Sequence, residues 1–358
     1  MDVRTAVAAS MLPASRAAVA AAFRELRHDD AAHGPASIFL ELLWSACHAG
    51  DVLPVSAVSE ILATAAAALE NADRLGIAAI PLFEERYPPL LACISDPPPI
   101  LWARGDFEVL TKPAVAVIGS RAASPYALQV GTRIAAELAE RGIVVVSGLA
   151  RGVDSAAHRG ALERGGSTVA VLGCGLDRVY PPEHDDLASE IAGHGLLLAE
   201  LAPGAAPLPA HFPLRNRIIS GLSLATVVVE ASEHSGSLIT ARCATDQGRD
   251  VMAVPGSVLS GRNRGSHALL KDGARIVETA DDILSELGWT AGQLCTGSAR
   301  KPLISGPLID RMLPGESYDL DALVALSGLD GPSILARLTE LEIAGIVAVS
   351  RGQYVRRT

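Results

Sequence analysis

Residues 114–158 read AVAVIGSRAASPYALQVGTRIAAELAERGIVVVSGLARGVDSAAH, and this stretch decides the fold. An unbroken apolar run, Ala114 to Ile118, stops at Gly119. Helix-forming sequence follows from Ala127 to Arg141. A second apolar run, Ile143 to Val146, then stops at Ser147-Gly148, and another helical segment opens at Asp154. Short apolar runs that alternate with helical segments are the mark of a mainly parallel sheet with helical crossovers.

The alternation continues outward. Thr168 to Leu172, Leu196 to Leu201, Ala225 to Val229 and Asp250 to Val254 are further strand candidates, with helical sequence at Asp154 to Arg164 and Ser237 to Gln247. A doubly wound α/β domain over residues 76–288 is expected, and in such a fold ligands sit beyond the carboxyl ends of the strands. Residues 1–75 have helical spacing of Ala, Leu and Val, broken at Pro13, at His33-Gly34-Pro35 and at Gly50-Asp51. The Pro-rich texture of 76–105 predicts an extended lead-in to the central domain. Residues 289–302 form a linker, and 303–358 give three helices followed by a hairpin, a winged-helix outline.

The bulk numbers narrow the function classes. With 358 residues the chain is long enough for two or three domains. The net charge of -10 argues against a generally cationic surface, so any nucleic-acid site must be a local groove. Lys112, Lys271 and Lys301 are the only lysines among 30 basic residues, so such a groove would be built from Arg. Cys47, Cys93, Cys174, Cys243 and Cys295 are odd in number and widely spaced, with no C-x-x-C pair. Free, mostly buried thiols in a reducing, cytoplasmic compartment are expected. The Ala-rich segment Thr5 to Phe23 reads as a helix rather than a secretory leader, because Asp2 precedes it and Arg16 interrupts it. No run of 18 apolar residues suggests a membrane span.

Candidate site residues lie just after the strand runs. Gly119-Ser120-Arg121 offers a close backbone approach and a charged fork before a helix start, the arrangement that holds a phosphate, although a plain strand-to-helix turn has the same residues. Gly148 and Arg151, in Ser147-Gly148-Leu149-Ala150-Arg151-Gly152, repeat the design. Gly173-Cys174-Gly175-Leu176-Asp177-Arg178, with Tyr180-Pro181-Pro182, closes another strand end, either as a binding loop or as a turn with Arg178 paired to a carboxylate. In His211-Phe212-Pro213-Leu214-Arg215-Asn216-Arg217, two Arg and an Asn can neutralise phosphates while the ring stacks on a base. A structural salt bridge from Arg215 or Arg217 to Glu200 or Glu230 is the alternative. Ser235-Gly236-Ser237 opens a helix and offers donors to an oxyanion. Gly261 to His267 carries Arg262 and Arg264 in a Gly-bounded loop.

Taken together, the G-S-R turn, S-G-x-A-x-G-x-D-x-x-A-H, G-x-G-x-D-x-x-Y-P, F-P-x-R-N-R-I-I-S-G-L-S, V-V-V-E-A-x-x-x-S-G-S-L-I-T-A and V-P-G, in this order over about residues 80 to 285, resemble the DprA/Smf family. The resemblance implies an extended Rossmann-like domain that binds single-stranded DNA without catalysis or cofactor, assembles as a homodimer, and helps load RecA onto DNA in natural transformation. It further implies a sterile-alpha-motif-like character for the amino-terminal helices. Carried over by position, the DNA contacts would include Arg121, Phe212 as the stacking ring, Arg215, Asn216 and Arg217. Many family members have a Lys shortly before the Phe where this chain has Pro209-Ala210-His211.

Four other readings are weighed on residues. Lysine-decarboxylase-like phosphoribohydrolases carry P-G-G-x-G-T-x-x-E, but the segment from Ser235 to Arg242 lacks that Glu. An NAD oxidoreductase would need G-x-G-x-x-G after the first strand, and a P-loop ATPase a G-K-[ST] triplet, and neither is present. A pure interaction scaffold is favoured by the acidic charge. The carboxy-terminal helix, Ser333 to Ile343, carries Glu340 and Glu342 beside Arg337, which disfavours insertion into duplex DNA.

Overall fold

The computed structural model describes residues 2–26, 36–48, 53–82 and 84–289, with 317–320, 323–324, 334, 338, 347–350 and 353–356 beyond them. The chain divides into two compact units, Met1–Thr296 and Gly297–Thr358.

The first unit opens with helices α1 (Val3–Ser10), α2 (Arg16–Leu26), α3 (Ala36–Cys47) and α4 (Val55–Arg74). Asp2 caps α1 by accepting the amide of Thr5 at 2.7 Å. These helices share one apolar cluster with the sheet: Ala6, Leu12, Phe23, Phe39 and Leu40 lie together with Ile100 and Trp102.

The Pro-rich lead-in proves to be part of the sheet. It contains β1 (Ala78–Pro81), the single turn α5 (Pro89–Ala92) and β2 (Ile100–Gly105). The alternating block follows as β3 (Ala114–Ile118), α6 (Pro125–Glu140), β4 (Val144–Ser147), α7 (Val153–Glu163), β5 (Thr168–Leu172), α8 (Asp185–His194), β6 (Leu196–Ala199), α9 (His211–Gly221), β7 (Ala225–Val228), α10 (Ser237–Asp246), β8 (Asp250–Ala253), α11 (Arg264–Lys271), β9 (Arg275–Ile276) and α12 (Ala280–Glu286). Among the described residues the strands form one nine-stranded sheet in the order β1-β2-β6-β5-β4-β3-β7-β8-β9. From β6 to β9 every pair is parallel, whereas β2 runs antiparallel to β6 and to β1. This is the expected doubly wound, Rossmann-like sheet with a two-strand antiparallel extension.

Successive residues of a strand face opposite sides, and the core divides accordingly. Val115 and Val117 of β3 pack with Ile134 and Leu138 of α6 and Ile283 of α12. Ala114, Ala116 and Ile118 pack on the other side with Ile218 and Ile219 of α9 and Ala241 of α10. Helix α6 starts where Ser124 accepts the amide of Ala127 at 3.2 Å and Pro125 takes the first turn. No helix of the described residues is long and apolar enough to cross a membrane. Of the described cysteines only Cys174 is buried; Cys93 is exposed and Cys47 and Cys243 are intermediate, so the expectation of mostly buried thiols is corrected.

In the second unit β10 (Ser317–Tyr318), β11 (Val347–Ser350) and β12 (Gln353–Arg356) form an antiparallel sheet, order β10-β12-β11, which includes the expected terminal hairpin. Leu323, Ile334 and Leu338 are buried together. The rest of the winged-helix outline, and the linker after Trp289, lie outside the described residues.

Helices α6 and α7 approach through glycine. A Cβ on Gly160 would lie 2.2 Å from the carbonyl oxygen of Thr132, so only a residue without one fits. Gly160→Ala should therefore destabilise the domain by about 1–3 kcal/mol through overpacking, although helix propensity alone favours Ala by about 1 kcal/mol. Urea unfolding of the two proteins gives the sign: a more stable variant would show that the helices can move apart at no cost.

Candidate nucleic-acid interface

β3 and β7 are neighbours in the sheet, yet after β3 the chain winds away through β4, β5 and β6 before it returns to β7. The crevice between the ends of β3 and β7 is thus a topological switch point, the place where doubly wound sheets bind ligands. The loops that follow β3, β4, β5 and β7 all open at this edge, and α9 starts there, with Phe212 against Gly173, before its Ile218 and Ile219 pack on the sheet face.

A buried carboxylate and a buried guanidinium, coupled electrostatically, stand beneath those loops. Asp154, in the first turn of α7, is 7% exposed and accepts the amide of Gly148 at 3.1 Å, with the amides of Gly119 and Ala150 also directed to it. Burial raises its carboxyl above the ordinary range, opposed by the charge of Arg215 and by those amides. Arg215, 5% exposed, donates Nη1 to the carbonyls of Gly148 (2.7 Å) and Val171. Burial lowers its guanidinium to about 10, still cationic at neutral pH, with Asp154 acting against that shift. Gly148 is a glycine because this guanidinium lies on it: a Cβ there would sit 2.6 Å from Nη1. Arg215 therefore lies beneath the site and braces the ends of β4 and β5.

Behind the same loop stands a second buried network. Leu149 has φ +56°, a left-handed conformation that costs an ordinary residue about 1–2 kcal/mol. Its amide donates to His158 Nε2 at 3.3 Å and its carbonyl accepts from His184 Nδ1 at 2.9 Å. Because Nε2 accepts, the proton of neutral His158 is on Nδ1, which donates to Thr168 Oγ1 at 2.7 Å; that hydroxyl donates to the carbonyl of Val145 at 2.6 Å. Burial first, and the charges of His184 and Arg215 after it, lower His158 to about 3.

The open part of the site is formed by Arg121, Phe212 and Tyr180. Arg121 is exposed, and its guanidinium carbon lies 5.4 Å from the Phe212 ring centroid. Phe212 is half-buried rather than a core residue, and the Tyr180 ring lies 5.3 Å from it, tilted by 41°. Arg151 is exposed and paired with Glu183, while Arg178 stands 3.9 Å from Asp177, the carboxylate pairing weighed for it. Sequence reasoning places Tyr180 within a motif but gives it no role; an aromatic that follows a Gly-x-Gly strand end is the available signal.

The remaining expected residues border this surface. Ser120 accepts the amide of Val153 through its carbonyl at 3.2 Å, and so ties the first loop to α7. Ser235 and Ser237 share a 2.7 Å hydroxyl contact at the start of α10, where Ser237 is buried and Gly236 is exposed. Asn216 donates to the carbonyl of Gly236 at 3.4 Å and links α9 to that loop. Glu230 is 1% exposed and accepts both the amide (3.1 Å) and the hydroxyl (2.6 Å) of Ser124, which places its carboxylate on the amino end of α6.

Arg217 stands apart from the set expected to contact phosphate. It is 7% exposed and faces inward: Nε donates to Asp96 Oδ2 at 2.8 Å, and Nη1 and Nη2 donate to the two oxygens of Glu200 at 3.0 and 2.8 Å. Arg16 of α2 adds a contact to Glu200 at 3.2 Å. The salt-bridge alternative is the geometry that Arg217 has. Residues four apart lie on one helix face and residues two apart do not, so Arg215 and Arg217 leave α9 in different directions.

The sequence profile of the family described as DNA recombination-mediator protein A matches residues 78–288. Protein Smf of Escherichia coli (strain K12) is 39% identical over 287 residues, which cover 77% of this chain and 76% of that protein. The DNA processing protein DprA of Streptococcus pneumoniae is 45% identical over 205 residues, covering 57% of this chain and 72% of the relative. The X-ray structure of DprA from that organism superposes with a TM-score of 0.70 at 34% identity, over 80% of this chain and 98% of its own. A structure of DNA processing protein A from Helicobacter pylori, described for its single-stranded DNA binding mode, superposes with a TM-score of 0.54 at 32% identity, over 59% and 95% of the two chains.

Two outcomes follow from the buried charges. Arg217→Met leaves Glu200 and Asp96 without their cation and should cost about 3–5 kcal/mol in urea unfolding, whereas Arg121→Ala at the exposed position should stay within about 0.5 kcal/mol of wild type. Equal costs would mean that the inner pair is not a structural brace. The second outcome concerns acid. Between pH 6.5 and about 3 the unfolded chain protonates His158 and the folded chain does not, so this residue's contribution is complete above pH 6.5 and is lost as the pH falls. Asp154, whose folded carboxyl is raised, works in the opposite sense: its contribution is complete below the unfolded value and is lost as the pH rises through the folded one. His158→Gln should flatten the pH dependence of unfolding between pH 6.5 and 4.5; a slope equal to wild type would remove His158 from the acid response.

Proposed function

The chain belongs to the DNA recombination-mediator protein A family, and from that premise we propose that it binds single-stranded DNA across the carboxyl edge of its sheet and delivers it to the RecA recombinase in the cytoplasm during natural transformation. The observation that carries this reading is the exposed Arg121 guanidinium lying over the half-buried Phe212 ring at the switch point. A cation beside an accessible ring serves a phosphate and a base together, and does so for any sequence, because every base has a π-face. Arg151 and Arg178 lie on the loops that border the rings, each beside a carboxylate that a phosphate would have to displace. The Helicobacter pylori relative described for its single-stranded DNA binding is consistent with the same use of the fold.

The reading includes the absence of catalysis. A nucleotide-processing enzyme of the phosphoribohydrolase type needs a carboxylate free to act at this edge, and the carboxylate of Glu230 is held by Ser124. It also includes a homodimer, for which the edge strand β9 offers exposed Ile276 beside the partly buried Leu269 and Leu270 of α11.

Fluorescence anisotropy with labelled oligo-dT tests the central claim. Single strands should bind more tightly than the corresponding duplex. Arg121→Ala should weaken all sequences alike and lower the salt slope by about 0.7, the value for one phosphate contact on a single strand. Equal or tighter duplex binding would overturn the proposal, and turnover of a nucleoside monophosphate that Glu230→Gln abolishes would overturn its non-catalytic part.

A further inference from the structure

The two rings at the sheet edge are not equally open. Phe212 has Arg121 over its ring and Tyr180 against it. On a further side the backbone of Gly173 packs so closely that a Cβ there would lie 2.9 Å from Phe212 Cδ1. Tyr180 is 39% exposed, more than the half-buried Phe212. Two arginines flank Tyr180, each beside a carboxylate: Arg178, two residues before it, stands near Asp177, and Arg151, paired with Glu183, lies near enough to Tyr180 for the two side chains to interact electrostatically. The Arg178 and Arg151 side chains are 56% and 57% exposed. Of the two rings Tyr180 is the more open to solvent, and Arg121 lies over Phe212.

We infer that Tyr180 is the ring on which the incoming base stacks, with Phe212 as the support beneath it and Arg121 as a guanidinium that occupies the Phe212 face until a phosphate draws it away. This deepens the single-stranded DNA reading and rests on it. The physical basis is access. Stacking needs a ring face that water can leave and a base can replace, and a face already covered by a guanidinium or by backbone must first be cleared. Tyr180 also has a hydroxyl at the solvent end of an apolar ring, the division found in aromatic residues that sit at wet interfaces. The two rings have complementary roles, in which Phe212 fixes the height and tilt of Tyr180 and Tyr180 presents the surface.

Two measurements test this. Oligo-dT carrying 5-iododeoxyuridine is bound to the wild-type protein and irradiated, and the cross-linked peptide is identified by mass spectrometry. A cross-link at Tyr180 is expected, and a cross-link confined to Phe212, or none at Tyr180, overturns the inference. Because it is read on the wild-type chain, it does not depend on any variant folding. In the second measurement Tyr180→Ala should weaken oligo-dT binding by about 5- to 150-fold with an unchanged salt slope, the range for loss of one stacked base, while Tyr180→Phe should stay within about two-fold because the face is retained. If wild type binds oligo-dT and Tyr180→Ala binds equally well with its melting temperature intact, the ring assignment is wrong and single-strand binding stands. If wild type fails to bind oligo-dT, single-strand binding falls and the ring assignment falls with it.

Discussion

The carboxylate of Asp154 collects amides from two different strand ends and faces the one buried guanidinium that reaches the same place. Each of the two bonds the backbone of Gly148 at the open edge, and the charge of one acts on the other. Without the carboxylate, Arg215 would be an unbalanced charge under the loops; without Arg215, the carboxylate would be left to three amides. The side chains that meet solvent, Arg121, Phe212 and Tyr180, are held by backbone that this pair and the His158 network keep in place. The site has two levels: an inner layer of charges engaged with protein, and an outer layer of one cation and two rings.

Much of the fold is legible from the sequence. The apolar runs that form β3 and β5 are bounded in the structure as the sequence places them, because a strand buried on both faces shows itself as an uninterrupted apolar run. β1 and β2 are not legible, because Pro81 and Pro97 to Pro99 suggest coil and the pairing of β2 with β6 joins residues far apart in sequence. The segment that forms α9 stands out as a motif without announcing its element. Its start, His211-Phe212-Pro213, and two arginines on buried positions hide the apolar periodicity that marks a helix.

The site is legible as a set of loops and less so as a set of roles. Residue type alone makes Arg121, Arg215 and Arg217 equivalent, yet their surroundings divide them into an exposed cation, a buried brace and an inner triad. Glu200 is among the partners the sequence offers to Arg215 or Arg217, whereas only the fold brings Asp96 to Arg217. Conversely, Asp154 and His158 both stand in the stretch that follows β4, but a short polar segment at a helix start has no feature that distinguishes an inward carboxylate from an outward one.

The core shared between the amino-terminal helices and β2 bears on how such proteins can be assembled from parts. Trp102 and Ile100 lie in one cluster with Phe23, Phe39 and Leu40, and Arg16 reaches Glu200 beside the inner triad. These helices are thus not an independent bead that recombination of gene segments could remove cleanly. A descendant that lost them would expose a tryptophan-centred apolar patch, and it would have to acquire polar side chains on that flank of the sheet at the same time. The ancestry of the added helices is therefore recorded in the composition of a strand to which they are not adjacent in sequence.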